Sequence, residues 1–242
     1  MSKHIPRFFL KTVPSNTIIN KDDILQLSPQ QMHHAINVLR LKIGDSVKVF
    51  NENICEWKCV IYDVKKCLVQ AVSKIPTFEE NIQLIVCFSL IHPNRMSFLL
   101  EKVTELGATC IIPIISQYTQ QKTINIERAK QILVSASEQC NRITIPKIYE
   151  PQKLIEFLNN YSYECNLLVA DETLNNTSIE QSIISDRKQY AFLIGPEGGF
   201  SDEERIIFRK YPFIKKISLG KNILRSETAA LALASVITVS LK

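Results

Sequence analysis

Two rhythms of apolar and polar positions divide the chain. In the first third, short runs rich in β-branched residues occur at 47–50 (VKVF), 57–64 (WKCVIYDV) and 67–72 (CLVQAV), separated by the turn-like NENI and KK. Such runs predict strands joined by tight turns. With RFFL near the start, they suggest a small β-barrel or sheet. One helical stretch, SPQQMHHAINVLRL, interrupts it, opening on a capping Ser28 and a first-turn proline, Pro29. SKIPTFEEN then reads as a linker and places a boundary near residue 76.

Beyond the linker, apolar runs at 82–90, 110–115, 166–170, 190–194 and 214–219 have the length and composition of buried strands. Helical patterns lie among them at 95–106, 127–139, 151–159, 178–185, 202–210 and 227–241. Strands alternating with helices predict an α/β layer with a largely parallel sheet. The final helix is apolar nearly all round, which predicts burial, between the sheet and a second subunit. The chain therefore reads as two parts, 1–75 and 76–242.

Composition changes this picture in one respect. The 242 residues carry a net charge of +5, and all of the excess lies in the first part. Residues 1–75 hold 11 Lys and Arg against 6 Asp and Glu, while residues 76–242 are balanced at 18 against 18. A small basic module beside a neutral larger one suggests an acidic partner held by the first and worked on by the second. A solubilising surface would give the same count. The seven cysteines show no CxxC pair, and the four histidines do not cluster with them at ligand spacing, which argues against both disulfides and a metal site. MSKHIPRFFLKTVPSN lacks the apolar segment of a secretory signal, and the longest apolar stretch falls short of the ~20 residues of a membrane span. A cytoplasmic protein is expected.

The candidate chemistry sits in two glycine loops. The chain has only six glycines; three fall in GPEGGFS at 195–201 and a fourth opens the GKNILRSET of 220–228. Each loop follows a predicted strand and precedes a predicted helix, and ligands bind at that carboxyl edge in open α/β sheets. Gly195, Gly198 and Gly199 can take positive φ and let backbone N–H groups approach a ligand. Ser201 and Glu204 have the spacing of a capping box. Neither a Walker loop nor a GxGxxG motif is present, and Glu197 stands where a polyphosphate site would want a cation. A neutral or cationic nucleoside-like ligand fits better. Tight strand-to-helix turns without a ligand remain the alternative.

LIGPEGGFSDEE (193–204) together with LGKNILRSETAAL (219–231) resembles the C-terminal signature of the SPOUT methyltransferases. More narrowly it resembles the 16S rRNA (uracil-N3)-methyltransferase family, RsmE. PRFF (6–9), HHAINVLRLKIGD (33–45), NRMSFLLEKVTELGATCIIPI (94–114) and SEQCNRITIP (137–146) are similar to that family's other blocks, in order. Two positions depart from it: Glu52 stands where a glycine turn is usual, and Asn141 where glycine is usual. The resemblance implies a SPOUT-type parallel sheet with a C-terminal trefoil knot in 76–242, a PUA-like RNA-binding β-barrel in 1–75, S-adenosyl-L-methionine (SAM) as cofactor, and a homodimer acting on small-subunit ribosomal RNA in the assembled subunit.

It also implies roles for residues. The cofactor pocket is expected to draw on Ile194, Gly195, Pro196, Glu197 and Gly198 from the first loop. Leu219, Gly220, Ile223, Leu224 and Thr228 would come from the second, and Leu168, Ala170 and Glu172 would close the third side. Leu219, Ile223 and Leu224 could equally be core. The uracil N3 target holds a proton, so transfer needs stabilisation of charge spreading onto its carbonyl oxygens. Arg225, just before a helix N-terminus, is the candidate, unless it is paired with Glu227 or Glu197. Glu197 would accept a proton or hold the loops together. Arg7, His33, His34, Arg40 and Lys42 of the basic module, with Arg95, Lys102 and Arg142, are the candidates for RNA, although His33 could be a packed helix residue. The other readings are a SPOUT enzyme of 2′-O-ribose specificity and a non-catalytic ribosome-assembly protein.

Overall fold

The computed structural model describes residues 5–11, 13–14, 17–77, 82–173 and 188–240. The predicted helix at 178–185 lies outside them. The chain forms two compact units: the described residues of Met1–Glu79 with Ser137–Thr144, and those of Glu80–Ala136 with Ile145–Lys242.

The first unit is a five-stranded sheet built from β1 (Arg7–Phe9), β2 (Ile24–Gln26), β3 (Ser46–Asn51), β4 (Cys55–Asp63) and β5 (Leu68–Ile75), in the order β1-β3-β4-β5-β2. Only β1 and β3 run parallel. Val47 faces Cys59 and Val49 faces Trp57 across β3 and β4, and these join Ile61, Val69 and Ala71 in a shared core. Strand β2 was not predicted, because its three residues are too few to show an alternation. At the β3–β4 turn, which lacks the usual glycine, Cys55 takes the left-handed conformation (φ 60°).

The predicted 14-residue helix of this unit is shorter and irregular. Helix α1 (Pro29–His33) opens on a Ser28–Gln31 capping box, then widens into a π-helical turn over His34–Val38. Arg40, at φ 57°, ends it, and a hydrogen bond from Leu41 N–H to the Ala35 carbonyl returns Leu41 to the core. A left-handed residue after the last turn is a common helix terminator.

The second unit is parallel throughout. Strands β6 (Gln83–Ser89), β7 (Ala108–Ile115), β8 (Lys147–Ile148), β9 (Gln152–Lys153), β10 (Leu167–Ala170), β11 (Gln189–Ile194) and β12 (Ile214–Ile217) form a sheet ordered β12-β10-β11-β6-β7-β8, with β9 also on β7. Its strands read as continuous apolar runs because both faces are covered. Leu84, Val86, Phe88, Leu168, Phe192 and Ile194 point to one face, covered by α2 (Pro93–Glu105), α3 (Ile126–Gln139) and α6 (Ser226–Ser240). The alternate residues Ile85, Cys87, Leu167, Val169, Ala191 and Leu193 point to the other, with α4 (Leu154–Asn159) and α5 (Asp202–Phe208). Each strand residue thus takes its side by parity alone.

Candidate functional site

Strands β10, β11 and β12 are neighbours and parallel, so their carboxyl ends, at Ala170, Ile194 and Ile217, open on one edge of the sheet. The loops that leave them enclose a cleft lined by Ala170–Glu172, Ile194–Pro196, Gly199 and Ser218–Leu224, with Ser226 and Ala229 from the start of α6. The two glycine loops and the strand end of β10, VADET at 169–173, therefore meet.

Three interactions tie the loops together. The Ser226 hydroxyl donates to the Gly195 carbonyl at 2.8 Å, joining the second loop to the first. Glu204 caps α5 through Ser201 and also accepts from Gln117 N–H at 2.8 Å. Arg205 reaches from α5 to Asp171 at 3.2 Å and Glu172 at 2.6 Å. Asp171 is buried and also faces Lys216 Nζ at 3.3 Å. Burial pushes its carboxyl pKa up, but hydrogen bonds from Thr173, with Lys216 and Arg205, outweigh that and hold it below the usual value.

Of the residues expected around the cofactor, Ala170, Glu172, Ile194, Gly195, Pro196, Leu219, Gly220, Ile223 and Leu224 line the cleft. Leu168 does not; it is 2% exposed and packed among Val86, Phe192 and Ala230 on a sheet face. Thr228 is exposed and outside the lining. Gly198 is replaced in the lining by Gly199, which at φ 69° is the residue of GPEGG in the left-handed region. A Cβ on Gly199 would lie 2.5 Å from Glu172 Oε1, whereas one on Gly198 would meet Tyr118 Cβ at 3.2 Å. The glycine pair thus faces two different neighbours. Gly220, at φ 111°, leaves open space where a Cβ would stand, a bare backbone wall suited to close approach by a flat ring.

Arg225 is exposed and has no ion-pair partner among the described residues. Both carboxylates named above as its rival partners are engaged elsewhere. Glu227 faces Arg95 at 3.8 Å, and Glu197 accepts from His92 N–H at 3.1 Å. The chain neighbours of Arg225, Leu224 and Ser226, both line the cleft.

The RNA candidates separate. His33, His34, Arg40 and Lys42 are exposed. His34 also meets the Phe8 ring edge-on. Arg95 is half-buried beside Glu227, and Lys102 lies between Glu101 and Glu105 at 2.7 and 2.8 Å. Two assignments need correction. Arg7 is 4% exposed: it pairs with Glu56, stacks on Phe50, and donates to the carbonyls of Ser137, Glu138 and Arg142. Arg142 is itself 7% exposed. Neither presents its charge to a phosphate. Asn141, between them in this segment, takes φ 64° where the resembled family has glycine, a conformation asparagine tolerates.

Sequence reasoning missed Asp171, Ser218, Lys221, Asn222, Ser226 and Ala229. Adjacency to the chosen residues was the one signal available. Among the described residues, no group of three His, Cys, Asp or Glu side chains could hold a metal ion.

Residues 78–238 match the RNA methyltransferase domain family, and residues 27–72 match the RNA methyltransferase PUA domain family. A Ribosomal RNA small subunit methyltransferase E of Rickettsia conorii is 32% identical over 86% of this chain and 87% of its own. The chain belongs to this RNA methyltransferase family. A protein of the same name from Neisseria gonorrhoeae, solved bound to S-adenosyl methionine, superposes with a TM-score of 0.85 at 25% identity, covering 98% of both chains. A Legionella pneumophila protein solved with bound SAM gives 0.85 at 28% identity, again over 98% of both. The second unit accordingly has the SPOUT-type fold of this family, and the first its PUA-like companion.

Proposed function

We propose that this chain transfers a methyl group from SAM to N3 of a uridine in 16S rRNA. The observation that supports it most directly is the cleft where three neighbouring strand ends converge, walled by main chain at Gly195, Gly199 and Gly220 and by the apolar Leu219 and Leu224. Those groups suit SAM: backbone N–H and C=O groups read an adenine edge while the apolar side chains enclose the ring. Glu172, held by Arg205, offers a carboxylate to a hydroxyl-bearing or cationic part of the ligand. SAM supplies an already activated methyl, so no nucleophilic side chain is required.

What remains for the protein is to orient the base and to accommodate charge on its carbonyl oxygens. Arg225, exposed between two cleft-lining residues and without an ion-pair partner among the described residues, is the group assigned to that charge. Glu197 is assigned to the loops, since its carboxylate already bonds the N-terminus of α2. The exposed His33, His34, Arg40 and Lys42 of the PUA-like unit would hold RNA backbone, and Arg95 would add to them from the second.

The substrate is taken to be the assembled small subunit in the cytoplasm. No described helix is long and apolar enough to cross a membrane. The enzyme is proposed to act as a homodimer. Helix α6 is apolar beyond its buried face, with Val239 exposed, and Phe98 of the neighbouring α2 is exposed as well. Sedimentation of the Val239→Glu and Phe98→Glu variants should shift to monomer.

Mass spectrometry of small-subunit rRNA from cells with and without the protein tests the function. Loss of one N3-methyluridine in its absence is the expected result. Loss of a ribose methyl, or of nothing, would overturn the proposal.

A further inference from the structure

Tyr118 lies close across Gly198. A Cβ there would sit 3.2 Å from the tyrosine Cβ, 3.6 Å from Cγ and 3.7 Å from Cδ2. Yet the tyrosine is not buried by this contact, being 49% exposed. Its segment is also unusually well fixed for a surface loop. Ser116 N–H and Oγ both bond Thr119 Oγ1 at 2.9 Å, and Ser116 Oγ reaches Ser89 Oγ at 2.9 Å. Gln117 is held from both ends: its N–H donates to Glu204, and its side-chain oxygen accepts from Ser201. Buried Ser116 and Thr119 therefore anchor the loop while Tyr118 projects from it.

A half-exposed aromatic held in place by polar anchors does little for folding, since it leaves half of its apolar surface in water. It does provide a ring that needs no ordering before something stacks on it. The loop it rests on carries the cleft on its other side: Gly199 lines the cleft and Gly198, one residue back, carries the tyrosine. One turn of backbone thus separates the ring from the methyl-donor cleft. Lys122, exposed four residues on, adds a cation to the same segment. Aromatic rings beside cations are how proteins hold unpaired nucleotides, every base having a π-face.

We infer that Tyr118 is a positioning residue that stacks a nucleotide flanking the methylated one, holding the strand open while the target base enters the cleft. This rests on the RNA methyltransferase reading of the same site. A base drawn from its stack needs its neighbours held apart, and a rigid ring one backbone turn away supplies a resting place for one of them.

Tyr118→Ala in the full-length enzyme should raise KM for small subunits by roughly tenfold to a hundredfold, the range of base–aromatic stacking. Turnover at saturating RNA, SAM affinity and melting temperature should remain near wild type. Tyr118→Phe, which keeps the ring, should restore KM. A wild-type KM for Tyr118→Ala, or a Tyr118→Phe as impaired as the alanine variant, would overturn the inference. A shift of the alanine variant to monomer would overturn it too, by making the ring a subunit contact. If the wild-type enzyme shows no transfer to rRNA, the functional reading fails by itself. Filter-binding affinities of the three proteins for single-stranded RNA then still decide whether the ring stacks.

Discussion

At the scale of single residues, two arginines exchange the roles that charge alone would give them. Arg225 is an exposed cation beside the cleft with no ion-pair partner among the described residues, so Arg225→Ala should slow methyl transfer by about 10²–10³-fold. Calorimetry should find its SAM affinity nearly unchanged, because its backbone neighbours rather than its guanidinium line the cleft. A rate near wild type at saturating substrates would make it a surface residue. Arg7, by contrast, is structural. Three of its contacts are to carbonyls of segment 137–142, two of them at the end of α3, where orphan acceptors and the helix dipole favour a cation. Arg7→Ala strands Glu56 in a buried site where, among the described residues, Lys48 at 3.8 Å is the one remaining cation. It should cost about 3 kcal/mol in urea unfolding. Nothing in PRFF distinguishes such an arginine from a phosphate contact, because its partners lie about 50 and 130 residues away.

Among elements, the cleft depends on loops being held to one another. Asp171, at the end of β10, is the joint between β12 through Lys216 and α5 through Arg205. Its folded pKa lies below the ordinary 3.8, so its ionised form stabilises the fold. That contribution is complete above about pH 4 and is lost as pH falls through the depressed folded value. Asp171→Asn should therefore melt lower than wild type at pH 7, and the gap should close at the acid end of a melting-temperature profile. A constant gap across pH would mean that Asp171 acts by shape and not by charge. Alternation and length revealed most of these elements in advance, including every long strand of the parallel sheet. The three-residue β2, the two-residue β8 and β9 and the π-helical turn after α1 escaped, since none is long enough to display a period.

For the whole molecule, the basic first third is expected to set the salt dependence of RNA binding, because phosphate contacts release counterions. Charge reversal at Arg40 and Lys42 should flatten the slope of log affinity against log salt by about 1 to 2, leaving SAM binding intact. Equal slopes would mean the exposed cations are only a solvated surface. Deleting residues 1–75 is a poorer test, because it also strips Arg7 from the end of α3. Much of this protein could be read along the chain: the parallel α/β unit from its apolar runs, the cleft loops from glycines placed after predicted strands, and the family from motifs spread across most of its length. These are properties of local order, since a period, a cap or a left-handed glycine is written in consecutive residues. Which side chains meet was decided only by the fold. Gly198 and Gly199 are identical and adjacent, yet one faces Tyr118 and the other Glu172. Leu168 and Ala170 share a face of β10 by parity, yet only the one at the strand's end reaches the cleft, as the other lies deeper among helices. Burial, partners and direction are set by what packs from far along the chain, and no local pattern contains them.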